Sequence, residues 1–267
     1  MSTKKLPKLK ITTPVLPDLQ SKLLPVVVSL AAFVGPTKSG KTRLAISLAK
    51  GLIDEGSATR IFLYCPTYKS NPLYSALIRE KIDKVYTDVN KPFDVLRDVE
   101  LECEADARIY ADKLKIHIAY RRFTSGDPIS AHDEALLEQN NWRDSTPIRP
   151  HPILVLDDLQ GTSLYSVQKA NPLLSLCLRH RHIGDGTGLS VWALCQSHKA
   201  IPRALRNSLS YLACFRTGNL KERESFYLES SQQLSFKEFD KLFEEYTAKP
   251  YSYLWINNTD MTISPTF

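Results

Sequence analysis

Apolar residues along this chain gather in short continuous runs separated by longer stretches of mixed character. The runs "SLAAFV" (29–34), "ATRIFLYCPT" (58–67), "ILVLDDL" (153–159), "LSVWALCQS" (189–197), "YLACFRTG" (211–218) and "YSYLWINNT" (251–259) are rich in β-branched, leucine and aromatic residues. They predict strands. Between them the apolar period changes to three and four. "KTRLAISLAKGLIDEG" (41–56), "NPLYSALIREKID" (71–83), "PLLSLCLRHRHI" (172–183), a short segment around 201–209 and "SFKEFDKLFEEYTA" (235–248) read as helices, with Asn71 as N-cap and Pro72 in the first turn of the second.

The longest periodic segment is 93–122. Leu96, Val99, Cys103, Ala107, Tyr110, Leu114 and Ile118 mark one face of an amphipathic helix whose charged face is expected to be solvated. Residues 125–152 are polar and proline-marked, an excursion from the sheet. Strands alternate with helices and have nearly unbroken apolar cores. That pattern predicts an α/β domain with a mostly parallel central sheet and helices on both faces.

At 267 residues, with 43% hydrophobic and 24% charged residues, the chain is long enough for one such domain, expected over 29–267. No run approaches the roughly 18 apolar residues of a membrane span, and the N-terminus lacks the apolar core of a secretory signal. A soluble intracellular protein is expected. Cys65, Cys103, Cys177, Cys195 and Cys214 show no C-x-x-C spacing and read as reduced thiols. The net charge of +6 is uneven: residues 1–28 hold five lysines against the single Asp18. With Pro7, Pro14, Pro17 and Pro25 they read as a basic extended arm, able to touch phosphates or simply to solubilise.

The stretch with chemistry is "FVGPTKSGKT" (33–42). Gly35, Pro36, Thr37, Lys38, Ser39, Gly40, Lys41 and Thr42 spell the full G-x-x-x-x-G-K-[ST] pattern, with a predicted strand before and a helix after. A chance match in a turn would lack that context. The glycines let backbone N–H groups face a phosphate, Lys41 is placed for the β- and γ-phosphates of ATP, and the Thr42 hydroxyl for Mg²⁺.

Such a loop needs a carboxylate at the end of a second buried strand. "ILVLDDL" supplies Asp157 for the Mg²⁺ shell and Asp158 to orient and deprotonate water, one methylene shorter than the usual Glu. A turn with a helix cap is the alternative for two adjacent aspartates, and the intact loop argues against it. Gln196 ends "LSVWALCQS"; if that strand lies between the other two, its amide points at the γ-phosphate. Arg179, Arg181, Arg203 and Arg206 are candidates for a cation placed on developing charge. His180 and His182 lack a third ligand, so metal binding there is not expected.

Together "FVGPTKSGKT", "ILVLDDL" and "RHRHIGDGTGLSVWALCQSHKAIPRALRNSLSYLACF" resemble the genome-packaging ATPases of large DNA viruses, the poxvirus-type branch of the FtsK/HerA superfamily. The likeness spans about 26–267 and includes the closing "YSYLWINNTDMTISPTF"; the basic arm and 125–152 have no counterpart. It implies a RecA-like (ASCE) P-loop NTPase core, a homo-oligomeric ring and hydrolysis of ATP with Mg²⁺ at subunit interfaces. It also implies translocation of double-stranded DNA into a capsid, with capsid or portal-vertex proteins as partners, in the host cytoplasm or at a viral assembly site. By this resemblance Lys41 and Thr42 hold phosphate and Mg²⁺, Asp157 and Asp158 form the Walker B pair, and Gln196 is the sensor. The finger arginine precedes the sensor strand, which favours Arg181 or Arg179, with Arg206 in "LRNS" second.

Other functions fit less of the chain. A nuclease domain would need on the order of 150 more residues, so no cutting of DNA is expected. A small-molecule P-loop kinase needs neither Asp158 nor Gln196, and neither does a nucleotide-gated structural switch. A plasmid or conjugative DNA-transport relative shares the core motifs and stays open.

Overall fold

The computed structural model describes residues 23–24, 26–77, 82–166, 171–230 and 234–265. Of the expected basic arm, residues 1–22 and 25 lie outside the described residues, while Leu24 and Val27 at its end are buried. Eight strands form one sheet: β1 (Leu30–Val34), β2 (Arg60–Tyr64), β3 (Lys84–Tyr86), β4 (Pro152–Leu156), β5 (Ser190–Cys195), β6 (Tyr211–Phe215), β7 (Tyr253–Asn257) and β8 (Thr262–Ser264). Their order across the sheet is β3-β2-β4-β5-β1-β6-β7-β8. The first six are parallel to their neighbours; β7 and β8 are added antiparallel. This is the RecA-like P-loop arrangement, with β5 between β1 and β4.

The helices are α1 (Lys41–Asp54), α2 (Pro72–Leu77), α3 (Pro92–Ser125), α4 (Ala131–Gln139), α5 (Pro172–Leu178), α6 (Arg203–Arg206), α7 (Leu220–Ser230) and α8 (Phe236–Tyr246). Every residue of β1, β4, β5 and β6 is buried, because both sheet faces are covered. Successive residues alternate between two cores. Ala32, Leu154, Leu156, Val191, Ala193 and Leu212 join Val99, Leu176, Phe226 and Phe239 on one face. Ala31, Phe33, Val155, Trp192, Leu194 and Ala213 join Ala45, Leu48, Leu52 and Tyr74 on the other. All five cysteines are buried and free. No described helix is long and apolar enough to cross a membrane.

Four local expectations change. The charged face of α3 is not simply solvated: Asp98, Glu102 and Asp106, one turn apart, pair with Arg60 of β2 and Lys84 of β3, fastening the helix across the sheet edge. The apolar face of α3 enters the core only as far as Ala107; Leu114 is half-exposed and Ile118 exposed, while Ala119 is buried in its place. The excursion at 125–152 contains α4, closed at its start by a capping box between Ser130 and Asp133, and the rings of Phe123 of α3 and Trp142 pack tilted, centroids 4.9 Å apart. The helix expected to 83 spans Pro72–Leu77 as described; 78–81 lie outside the described residues, and Ile82 and Asp83 are not helical.

Candidate functional site

All the parallel strands that carry sequence-predicted chemistry end on one edge of the sheet. The phosphate loop leaves β1 at Gly35, whose N–H donates to Cys195 O at 3.1 Å and so ties the loop to the end of β5. A Cβ on Gly35 would lie 2.5 Å from Phe215 Cβ, so only glycine fits between β1 and β6 here. Gly40 turns the loop into α1 with φ 105°, in the left-handed region that glycine occupies without steric cost. The Ser39 hydroxyl is buried without a hydrogen-bond partner among the described residues.

Lys41, 9% exposed, folds back so that Nζ donates to Gly35 O at 2.7 Å and Pro36 O at 2.8 Å. Burial pulls the ammonium below the usual lysine range, opposed by the nearby charge of Asp157. Neutralising contact with an anion would relieve that cost.

Asp157 follows β4 and is 4% exposed. Its Oδ2 accepts from the Thr42 hydroxyl at 3.0 Å and from the Tyr74 hydroxyl of α2, and its Oδ1 from the Asp158 N–H at 3.0 Å. Burial pushes this carboxyl up, and the charge of Asp158 adds to it, against the hydrogen bonds from Tyr74 and Thr42. A desolvated carboxylate of this kind favours a cation. Two oxygens adjacent on an octahedral Mg²⁺ are separated by about 3 Å, which the Thr42–Asp157 spacing matches.

Cys65 lies with Asp157 and Asp158 in the one cluster of three candidate ligands found among the described residues. Its thiol is pushed up to about 11, chiefly by burial, and stays protonated. The hard oxygens suit Mg²⁺, and the protonated thiol gives a soft metal little purchase.

Asp158 is exposed and its backbone is left-handed (φ 54°), which aspartate tolerates better than most residues. The Thr67 hydroxyl, at the end of the β2 segment, donates to Asp158 Oδ2 and lies 3.4 Å from Cys65 Sγ. Gln196 follows β5 and its N–H is held by Gln160 Oε1 at 2.9 Å. The loop residues from Thr37 to Arg43, both aspartates, Gln160 and Gln196 line one cleft of about 340 Å³. Thr67, Tyr74 and Gln160 were not singled out in the sequence. Thr67 had a readable signal, since it lies in the turn just past a parallel strand and ligands gather at that edge; Tyr74 had none.

The arginines are elsewhere. Arg179 pairs with Glu100 of α3. Arg206 pairs with Glu229 of α7 at 2.7 Å. Arg181 and Arg203 are exposed and have no ion pair among the described residues. None of the four lines the cleft of its own chain. His180–His182 form a 3-10 turn, not a continuation of α5, and His180 is buried against Leu189 O at 3.1 Å. That turn precedes β5, which puts Arg179 and Arg181 at the amino-terminal edge of the sheet, opposite the cleft.

No family model matches this chain, and no curated protein matches it. Solved structures do. B204, the DNA-packaging ATPase from Sulfolobus turreted icosahedral virus, superposes with a TM-score of 0.55 at 13% identity, over 90% of this chain and 97% of that one. The genome-packaging NTPase B204 from Sulfolobus turreted icosahedral virus 2, in complex with ATP-gammaS, gives a TM-score of 0.52 at 15% identity, over 90% and 96%. The chain thus shares the fold of these packaging ATPases.

Proposed function

We propose that this chain is the ATP-hydrolysing subunit of a ring motor that drives double-stranded DNA into a viral capsid. The observation that carries the proposal is convergence on one cleft: a complete phosphate loop, a buried Asp157 bonded to Thr42, an exposed Asp158, and Gln196 from the strand between them. A phosphate binder alone has no use for the last two. The fold shared with packaging ATPases, over nearly the whole of both chains, supports DNA as the load.

In this reading Lys41 exchanges its two carbonyl contacts for the β- and γ-phosphate oxygens of ATP. Thr42 and Asp157 would hold Mg²⁺, which would supply positive charge against the phosphates. Asp158 orients the attacking water and accepts its proton, and Gln196 reports the γ-phosphate. Thr67 keeps the Asp158 carboxylate in place from the neighbouring strand. Among the described residues the cleft contains no arginine beyond Arg43, and in this reading the cation on the transition state comes from a neighbouring subunit. Arg181 and Arg203 are both exposed and without an ion pair among the described residues; of the two, Arg181 is preferred because it precedes the strand that leads to Gln196. A ring that uses it must turn one subunit's amino-terminal sheet edge towards the next subunit's cleft.

The test is displacement of a third-strand oligonucleotide from long duplex DNA. The wild-type protein with ATP and Mg²⁺ should strip the third strand, and Lys41→Ala should not. ATP hydrolysis without displacement, with the packaging partners supplied, would reject the motor.

A further inference from the structure

The phosphate cleft occupies one flank of the loop, and a second cavity of about 410 Å³ occupies the other. Thr37, Lys38 and Ser39 line both. We infer that this second cavity, between the phosphate loop and the turn joining α8 to β7, seats the purine base of the nucleotide, with Tyr251 as its stacking platform. The inference rests on the nucleotide reading above and deepens it.

Direction comes first. Asp157, Asp158 and Gln196 all follow β4 and β5, on one side of β1, and fix the end of the nucleotide where hydrolysis occurs. The remainder of the molecule must leave the loop on the other side of β1. There stand the end of β6, at Phe215 and Arg216, and the turn from Ala248 to Ser252.

The walls suit a flat heteroaromatic ring. Tyr251 is 68% exposed, an unusual position for so large a ring, and its backbone is left-handed (φ 65°). The ring is not loose: it rests on the last glycine of the phosphate loop, where a Cβ on Gly40 would come within 3.3 Å of Tyr251 Cδ1. The platform therefore touches the very residue from which α1 begins. Phe215 forms part of the cavity wall and is itself braced by Tyr253, ring centroids 5.5 Å apart. Arg216 donates to Ala248 O at 3.3 Å, which pins the turn to the end of β6 and leaves its charge on the rim. The cavity thus offers a ring to stack on and a cation beside it, in continuity with the phosphate loop. Nothing in the fold requires an exposed Tyr251: a glycine would satisfy its φ without strain.

Binding of ATP and of inorganic tripolyphosphate, each with Mg²⁺, separates base from phosphates. Calorimetric titration would compare wild type with Tyr251→Phe and Tyr251→Gly, the second being the residue that this backbone favours. Loss of one base–aromatic stack is expected to weaken ATP by about five-fold or more in Tyr251→Gly, with tripolyphosphate affinity unchanged and Tyr251→Phe close to wild type for both ligands. Wild type should prefer ATP to CTP, and Tyr251→Gly should erase the preference. Equal ATP affinity in wild type and Tyr251→Gly would overturn the inference, and so would a parallel loss of ATP and tripolyphosphate. A wild-type protein that binds neither ligand would overturn the phosphate site itself. Tripolyphosphate binding without any gain from the base would overturn only the inference.

Discussion

Arg206→Ala separates a structural arginine from a catalytic one. Arg206 Nε lies 2.7 Å from Glu229 Oε2, with side chains only 11% and 18% exposed. At an effective dielectric constant of about 20, two charges at that distance attract by roughly 6 kcal/mol before desolvation is counted. Burial of both ions offsets most of this, and a hydrogen bond to a charged group nets about 1.5–3 kcal/mol. The two atoms are close without being aligned as a hydrogen bond, so about 2 kcal/mol is the value to expect. For a chain of this size that lowers Tm by roughly 4–8 °C.

The pair also acts near the site. Glu222, on the same helix α7, accepts from the His198 N–H at 2.9 Å and from the Ser197 hydroxyl, just after Gln196. Loosening α7 should therefore slow ATP turnover modestly as well. Differential scanning calorimetry with steady-state phosphate release reads both effects, and Arg206→Lys should recover part of the stability. An Arg206→Ala protein with wild-type Tm and no turnover, poisoning wild-type subunits in mixed assemblies, would refute this reasoning and make Arg206 the finger.

Four further outcomes are expected. Lys41→Ala should abolish measurable nucleotide binding by titration, since its ammonium is the one buried cation in the loop. Asp158→Asn should bind ATP as wild type does yet hydrolyse it about 10²-fold or more slowly, measured by single-turnover phosphate release. Arg181→Ala, doped into wild-type subunits, should depress turnover more steeply than its mole fraction; wild-type turnover in a pure Arg181→Ala ring would remove it as the finger.

Stability should also fall on acidification, because burial lowers His151 to about 4 and His198 to about 3. With unfolded values near 6.5, the unfolded chain takes up these protons first, so stability holds above about pH 6.5 and declines towards pH 4. The loss is about 2 kcal/mol per histidine by pH 5; urea midpoints at pH 7.5 and 5 measure it, and His151→Gln should flatten the slope.

Much of this was legible in the sequence because burial on both faces leaves an unmistakable trace. Strands β1, β4, β5 and β6 appear as unbroken apolar runs, and the phosphate loop sits at the end of the first. Elements that bury little left none. The edge strands β3 and β8 have three residues each, and α7 exposes most of its surface, burying chiefly Ser225 and Phe226. In α3 the apolar spacing continued past Ala107 although the core did not, since periodicity records a face and not what covers it. At the site, residues with an obligatory chemical type announced themselves, whereas Tyr74 acts through a contact with Asp157 that only the fold creates. The arginines show the converse: their motif pointed to catalysis, and two of them turn out to be occupied by Glu100 and Glu229.

The most direct measurement is steady-state ATP hydrolysis by the purified protein, with and without long double-stranded DNA at low salt. The account predicts a several-fold rise in turnover with duplex DNA, dependent on Mg²⁺ and lost in Asp158→Asn. Turnover that DNA leaves unchanged, in assembled rings, would contradict it.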